Sequence, residues 1–155
     1  MMKRIGVFPG SFDPFTKGHE DIVRRFIPMF DQVIVAIGVN SSKNYMFSLE
    51  SRKAHINKLF ETDDAVIVEE FNSLTVEFCK EKGAQYLLRG IRNATDADYE
   101  RSIAQMNYDI SGIETLFLMT DPALAPINSS IIREIRRNEG DISAFVTHDE
   151  LLVIG

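Results

Sequence analysis

The stretch Gly6-Val7-Phe8-Pro9-Gly10-Ser11-Phe12-Asp13-Pro14-Phe15-Thr16-Lys17-Gly18-His19 decides the fold. Ile5 to Phe8 is an apolar run that reads as a buried strand. Pro9-Gly10 and Asp13-Pro14 then predict a turn, and a helical pattern begins at Gly18. Strand, glycine-bearing turn and helix start form a nest of backbone N–H groups at the positive end of a helix. Such a nest favours an anion before any side chain is counted. Ser11 adds a hydroxyl inside the turn. His19 falls in the first helical turn, within reach of a phosphate held above the strand, although the position also suits an ordinary capping or surface histidine. Neither G-x-x-x-x-G-K-[ST] nor G-x-G-x-x-G occurs in the stretch, so neither the P-loop nor the dinucleotide fingerprint applies.

Outward from this stretch, strands and helices alternate five times. Pro28 is expected to end or kink the first helix. Gln32 to Val39 is β-branched and apolar, and the polar loop Asn40 to Asn44 follows it. Ser48 is placed to cap a helix over Leu49 to Phe60. Ala65 to Glu69, Gln85 to Leu88 and Thr115 to Met119 read as further strands. Helices are expected over Leu74 to Lys82, stopped by Gly83, from an Asp96 cap to about Ile110, and from Asn128 to about Asn138. The alternation predicts a doubly wound, parallel, five-stranded α/β sheet in one domain over residues 1–155. Ligands of such sheets sit beyond the carboxyl ends of the strands.

Composition narrows the function. A chain of 155 residues, 45% hydrophobic and 26% charged, is of the size and make-up of a soluble globular domain. Its net charge of −6 argues against general affinity for nucleic acid, which needs a basic face, but leaves room for a local cationic pocket. Cys79 is the single cysteine, so no intramolecular disulfide or cysteine metal cluster forms. No apolar run approaches the ~18 residues of a membrane span, and only four residues separate the basic start Met1 to Arg4 from Pro9-Gly10, too few for the apolar core of a signal peptide. A cytoplasmic protein without a membrane or nucleic-acid partner is expected.

Three constellations fall at the predicted ligand edge. Arg89-Gly90-Ile91-Arg92 directly follows a strand; Gly90 permits close backbone approach and the guanidiniums suit phosphate oxygens, unless both are merely solvated. Asn128-Ser129-Ser130 opens a helix and reads equally as a phosphate site or as plain capping. Arg133 is able to turn toward the same place. Lys43, after the second strand, is otherwise an ordinary loop lysine. His55 and His148 lack partners at metal-ligand spacing and read as structural or surface residues. Tyr99, Ile103, Met106 and Ile110 share a helix face, read as core or as a subunit contact.

Gly10 to His19 resembles the G-x-F-D-x-x-[HT]-x-G-H signature of the nucleotidyltransferase superfamily, with Thr16 in the form of one branch. Together with Ser42-Lys43-Asn44, Arg89 to Arg92, Asp98-Tyr99-Glu100, Met106-Asn107 and Ile127 to Ser130, the chain resembles the bacterial phosphopantetheine adenylyltransferases from Lys3 to about Phe145. The resemblance implies a Rossmann-like nucleotidyltransferase fold and transfer of AMP from ATP to 4′-phosphopantetheine, giving dephospho-coenzyme A and pyrophosphate, with Mg²⁺ held mainly by the ATP phosphates. It implies contacts to ATP from Ser11, Phe12, His19, Gly90, Ile91, Arg92 and Glu100, and from the loop Leu124, Ala125, Pro126, Ile127, Asn128, Ser129 and Ser130. Ser11, Lys43, Thr75 and Arg89 correspond to the phosphopantetheine contacts. His19, Lys43 and Arg92 correspond to groups that stabilise the transition state. A homohexamer and feedback binding of coenzyme A are also implied. Asn128, where the family usually carries serine, and Leu124, where it carries an aromatic residue, predict retained phosphate binding with altered packing of the adenine loop. Two alternatives stand beside this reading: adenylyl or cytidylyl transfer to another small phosphorylated acceptor, and a non-catalytic nucleotide sensor.

Overall fold

The structure is a computed structural model describing residues 2–155. Runs that are apolar at every position become central strands. In β1 (Ile5–Gly10) and β2 (Gln32–Gly38), Phe8, Val33, Val35 and Ile37 face one layer of helices, while Val7, Ile34 and Ala36 face the other. Burial on both faces is what a parallel sheet demands of its strands. β3 (Val66–Phe71), β4 (Tyr86–Ile91) and β5 (Glu114–Met119) complete the sheet. The described residues form five parallel strands in the order β3-β2-β1-β4-β5. The order reverses between β1 and β4, which is the switch point of this sheet.

On one face, α1 (Lys17–Phe26) and α2 (Leu49–Leu59) bury Ile22, Val23, Phe26, Ile56 and Leu59 against Phe8, Val35 and Leu88. On the other, α3 (Thr75–Glu81) brings Val76, Phe78 and Cys79 onto Val7, Ile34 and Leu87. α4 (Ala94–Ser111) precedes β5. α5 (Ser129–Arg137) contributes Ile132 to a third cluster with Phe47, Ile142 and Val146. No helix among the described residues is long and apolar enough to cross a membrane.

Several sequence expectations are corrected here. Pro9 and Gly10 are not yet a turn: they continue β1 in register with Ala36 and Ile37 of β2. Likewise Arg89, Gly90 and Ile91 extend β4 alongside Phe117, Leu118 and Met119 of β5. Ladder partners on one flank hold these residues extended, and local turn signals do not report a neighbouring strand. α4 is capped by Asn93 rather than Asp96; the Asn93 side chain accepts the Asp96 N–H at 2.8 Å. Asp96 instead uses its carboxylate to accept the Arg92 N–H at 3.0 Å. The Tyr99, Ile103, Met106 and Ile110 face is not core, since all four side chains are exposed.

Because Asn93 is the cap, Asn93→Ala is expected to lower unfolding free energy by about 1 kcal/mol, measured by urea titration. Asp96→Ala should leave the cap intact.

Candidate active site

The larger of two adjoining cavities opens where β1 and β4 part. Their ladder includes only Gly6–Tyr86 and Val7–Leu87, although β1 runs on to Gly10 and β4 to Ile91. Pro9 has no N–H to continue the pairing. Its carbonyl accepts instead from Arg89 Nη1 at 2.7 Å, so a side chain bridges the gap that the backbone leaves. Arg89 also grips Glu100 through Nε and Nη2 at 3.0 and 2.6 Å. The Glu100 side chain is 7% exposed, and this bidentate pair holds it there. Three of the five guanidinium N–H groups are thereby engaged and two remain.

Gly10, Ser11, Arg89 and Glu100 form a wall shared by two cavities. The larger, about 360 Å³, is lined by His19, Arg92, Thr120, Asn128, Ser130 and Arg133 among others. The smaller, about 290 Å³, carries Phe71, Leu87 and Ile103 with the polar groups of Thr75, Asn107 and Thr115. The Thr115 hydroxyl is buried and has no partner among the described residues.

His19 is fixed by the helix it begins. Thr16 caps α1 by accepting the His19 N–H at 3.3 Å, and the Thr16 N–H returns to His19 Nδ1 at 3.0 Å. This reciprocal pair is a capping box with histidine in the place of the usual glutamate. Since Nδ1 accepts, the ring proton of the neutral imidazole lies on Nε2. The ring packs 5.2 Å from Phe12 and 5.3 Å from Phe15 between centroids. Burial first, then the charges of Arg89 and Arg92, push the His19 pKa down to about 3. The imidazole is therefore an uncharged Nε2–H donor at neutral pH. Phe12 has φ +49°, a conformation costly for a side chain of this size, and its 4% exposed ring anchors the turn.

The start of α5 is tied to the same loop. Ser129 Oγ donates to Pro14 O at 3.0 Å, and Arg133 Nη1 to Asp13 O at 2.8 Å. Asn128 accepts from Ser130 N and Ile131 N, so the cap occupies two N–H groups that the sequence reading left free for phosphate. Leu124, Ile127, Asn128, Ser129 and Ser130 line the larger cavity, with Ser11, Phe12, Gly90, Arg92 and Glu100. Ser11, Thr75 and Arg89 line the smaller one. Ile91, Ala125, Pro126 and Lys43 line neither. Lys43 is exposed on a loop closed on itself, where Asn40 accepts from Ser42 and Tyr45 bridges its base. Sequence reasoning left Arg133 undecided and missed Thr120 and Thr115. The latter two are single hydroxyls in or beside β5, with no local pattern to mark them.

Residues 7–135 match the cytidylyltransferase-like family. A phosphopantetheine adenylyltransferase of Cytophaga hutchinsonii is 53% identical over 95% of this chain and 99% of its own length. That of Flavobacterium psychrophilum is 50% identical over 92% and 95%. A crystal structure of a bifunctional NMN adenylyltransferase/ADP ribose pyrophosphatase from Francisella tularensis superposes with a TM-score of 0.69 at 18% identity. It covers 97% of this chain, which spans about half of that longer protein (49%). At that identity the likeness is one of fold.

The depressed His19 pKa has a consequence for stability. As pH falls below the ordinary histidine value of about 6.5, the unfolded chain takes up a proton that the native imidazole refuses until about 3. Stability therefore declines through that window. His19→Gln keeps a capping-box residue at this position, and should flatten stability against pH between about 4 and 6 by up to ~1.4 kcal/mol per pH unit. Urea titration across that range is the measurement.

Proposed function

The chain belongs to the phosphopantetheine adenylyltransferases, nucleotidyltransferases of coenzyme A biosynthesis that transfer AMP from ATP to 4′-phosphopantetheine, and we propose that its two cavities divide the substrates between them. The observation that carries this reading is the shared wall of Ser11, Arg89 and Glu100 between a polar, cation-rich cavity and one with apolar walls. ATP takes the larger cavity, against Phe12, Gly90, Arg92, Leu124 and the segment from Ile127 to Ser130. The pantetheine arm takes the smaller, where Asn107, Thr75 and the unpartnered Thr115 hydroxyl offer partners to its amides. Its phosphate then meets the α-phosphorus of ATP at the wall.

The chemistry needs no general base. A phosphate monoester is largely a dianion at neutral pH, so its oxygen attacks the α-phosphorus directly. The bond from that phosphorus to the bridging oxygen breaks, and pyrophosphate leaves in line, reversibly. No proton moves. The protein's part is to position both phosphates and to stabilise the charge that builds on the α-phosphoryl oxygens. His19 donates Nε2–H to them, Arg92 adds charge, and Lys43 reaches in from its loop. A neutral donor fits this task, since His19 has no proton to lose and gain during turnover.

Among the described residues no group of three or more metal-binding side chains occurs. The carboxylates lining the larger cavity are engaged: Asp13 by two backbone N–H groups, Asp96 by Arg92 N and Glu100 by Arg89. We assign Mg²⁺ to the ATP phosphates, where it would neutralise charge on the leaving pyrophosphate. A cytoplasmic setting accords with the reaction, as does feedback by coenzyme A, a product-like ligand. The exposed Tyr99, Met106 and Ile110 face of α4 supports assembly into a homohexamer.

Pyrophosphate release from MgATP is expected to require 4′-phosphopantetheine. Release with glycerol phosphate or nicotinamide mononucleotide instead would redirect the acceptor assignment, and ATP binding without release would make the protein a sensor. His19→Ala should lower kcat on the order of 10²-fold with KM little changed, and an unaltered kcat refutes its role. Arg89→Ala alone strands the buried Glu100 carboxylate, so Arg89→Ala with Glu100→Gln is the informative variant. It should raise KM for phosphopantetheine more than KM for ATP in steady-state kinetics.

A further inference from the structure

Arg52 lies in α2, outside the lining of both cavities, and its side chain is among the most deeply buried in the protein at 2% exposure. A buried guanidinium is a poor choice for stability alone, because desolvation offsets most of its gain. Its bonds run to the two loops rather than to the core. Nη1 donates to Ser11 O at 2.7 Å and Nε to Phe47 O at 3.0 Å. The guanidinium also lies 4.3 Å from the centre of the Tyr45 ring. Asp13, 5% exposed, fastens the same two segments from the other loop, accepting Met46 N at 2.8 Å and Phe47 N at 2.9 Å. Tyr45 closes the base of the Lys43 loop by accepting Asn40 N and donating to Gly38 O.

We propose that Arg52 is a positioning residue: it locks the β1–α1 loop, which carries Ser11 at the shared wall, to the β2–α2 loop, which carries Lys43. The inference rests on the functional reading above. With the base of the Lys43 loop fixed to the Ser11 carbonyl, the exposed lysine sweeps from one anchored point and meets the acceptor phosphate beside Ser11. Lysine at position 52 offers a point charge that cannot hold two carbonyls in one plane, so the loops would lose their register.

The test is a pair of double-variant cycles, with kcat expressed per molecule competent to bind ATP by calorimetry, so that misfolded protein is not counted. Arg52→Lys should lower kcat about 10- to 100-fold with KM for ATP within about threefold. If Arg52 acts through the Lys43 loop, Lys43→Ala should cost the Arg52→Lys protein at least about fivefold less than it costs the wild type. Arg92→Ala, on β4's side of the cavity, should combine with Arg52→Lys multiplicatively. A purely structural Arg52 would give multiplicative losses in both cycles, and that result overturns the inference, as does a Lys43→Ala variant with full activity. Where Arg52→Lys does not fold, Tyr45→Phe opens the loop base instead and should show the same non-multiplicative pattern with Lys43→Ala. Absence of acceptor-dependent release from the wild type overturns the functional reading and this inference together, whereas normal release with multiplicative cycles overturns this inference alone.

Discussion

The site depends on the parting of β1 and β4. A parallel sheet normally leaves no room between neighbouring strands, which lie roughly 5 Å apart. Here pairing stops at Val7–Leu87 while both strands continue, and Pro9 presents no N–H to resume it. Arg89 crosses the opening to the Pro9 carbonyl and is held from behind by Glu100. The crevice thus has a bridge of charge at its floor and a cavity on each side. One arginine both bridges the strands and has two N–H groups left over at the wall between the cavities.

His19 shows how a structural device sets a chemical state. Capping α1 is a local requirement, met here by Thr16 and the imidazole together. That bond fixes the tautomer, and the surrounding phenylalanines and arginines keep the ring uncharged. A fixed N–H donor whose charge does not change at neutral pH can be aimed at developing negative charge without a proton being moved. The cap and the neutral Nε2–H donor are therefore one residue viewed from its two nitrogens.

Acidity overall and cationic character locally coexist because the charges are sorted by partner. Asp13, Asp96 and Glu100 turn toward N–H groups or toward Arg89, leaving Arg92 facing the larger cavity with neutral hydroxyls around it. Guanidiniums in this protein connect separate segments: Arg89 joins β1 to α4, Arg133 joins α5 to Asp13, and the buried Arg52 joins the loops after β1 and β2. Loop carbonyls at a sheet edge lack strand partners, and long guanidiniums reach them where the backbone does not.

By itself the sequence determined the alternating α/β architecture, because strands buried on both faces need unbroken apolar runs and helices need periodic ones. It also singled out the stretch from Gly10 to His19 and the Arg89 to Arg92 segment, which the structure brings to the same cavity and whose residue types are informative without a neighbour. Caps were legible only in part: Ser48 and Asn128 stood at the predicted starts, while Asn93 displaced Asp96. Only the tertiary structure decided where the strands end, since Pro9-Gly10 and Arg89 to Ile91 stay extended through partners remote in the chain. It alone paired Arg89 with Glu100, left Lys43 outside both cavities and turned the α4 apolar face to solvent. The physical reason is common to all of these. Composition and periodicity report what a residue prefers of its surroundings, but which group supplies a bond across the sheet depends on segments brought together by folding.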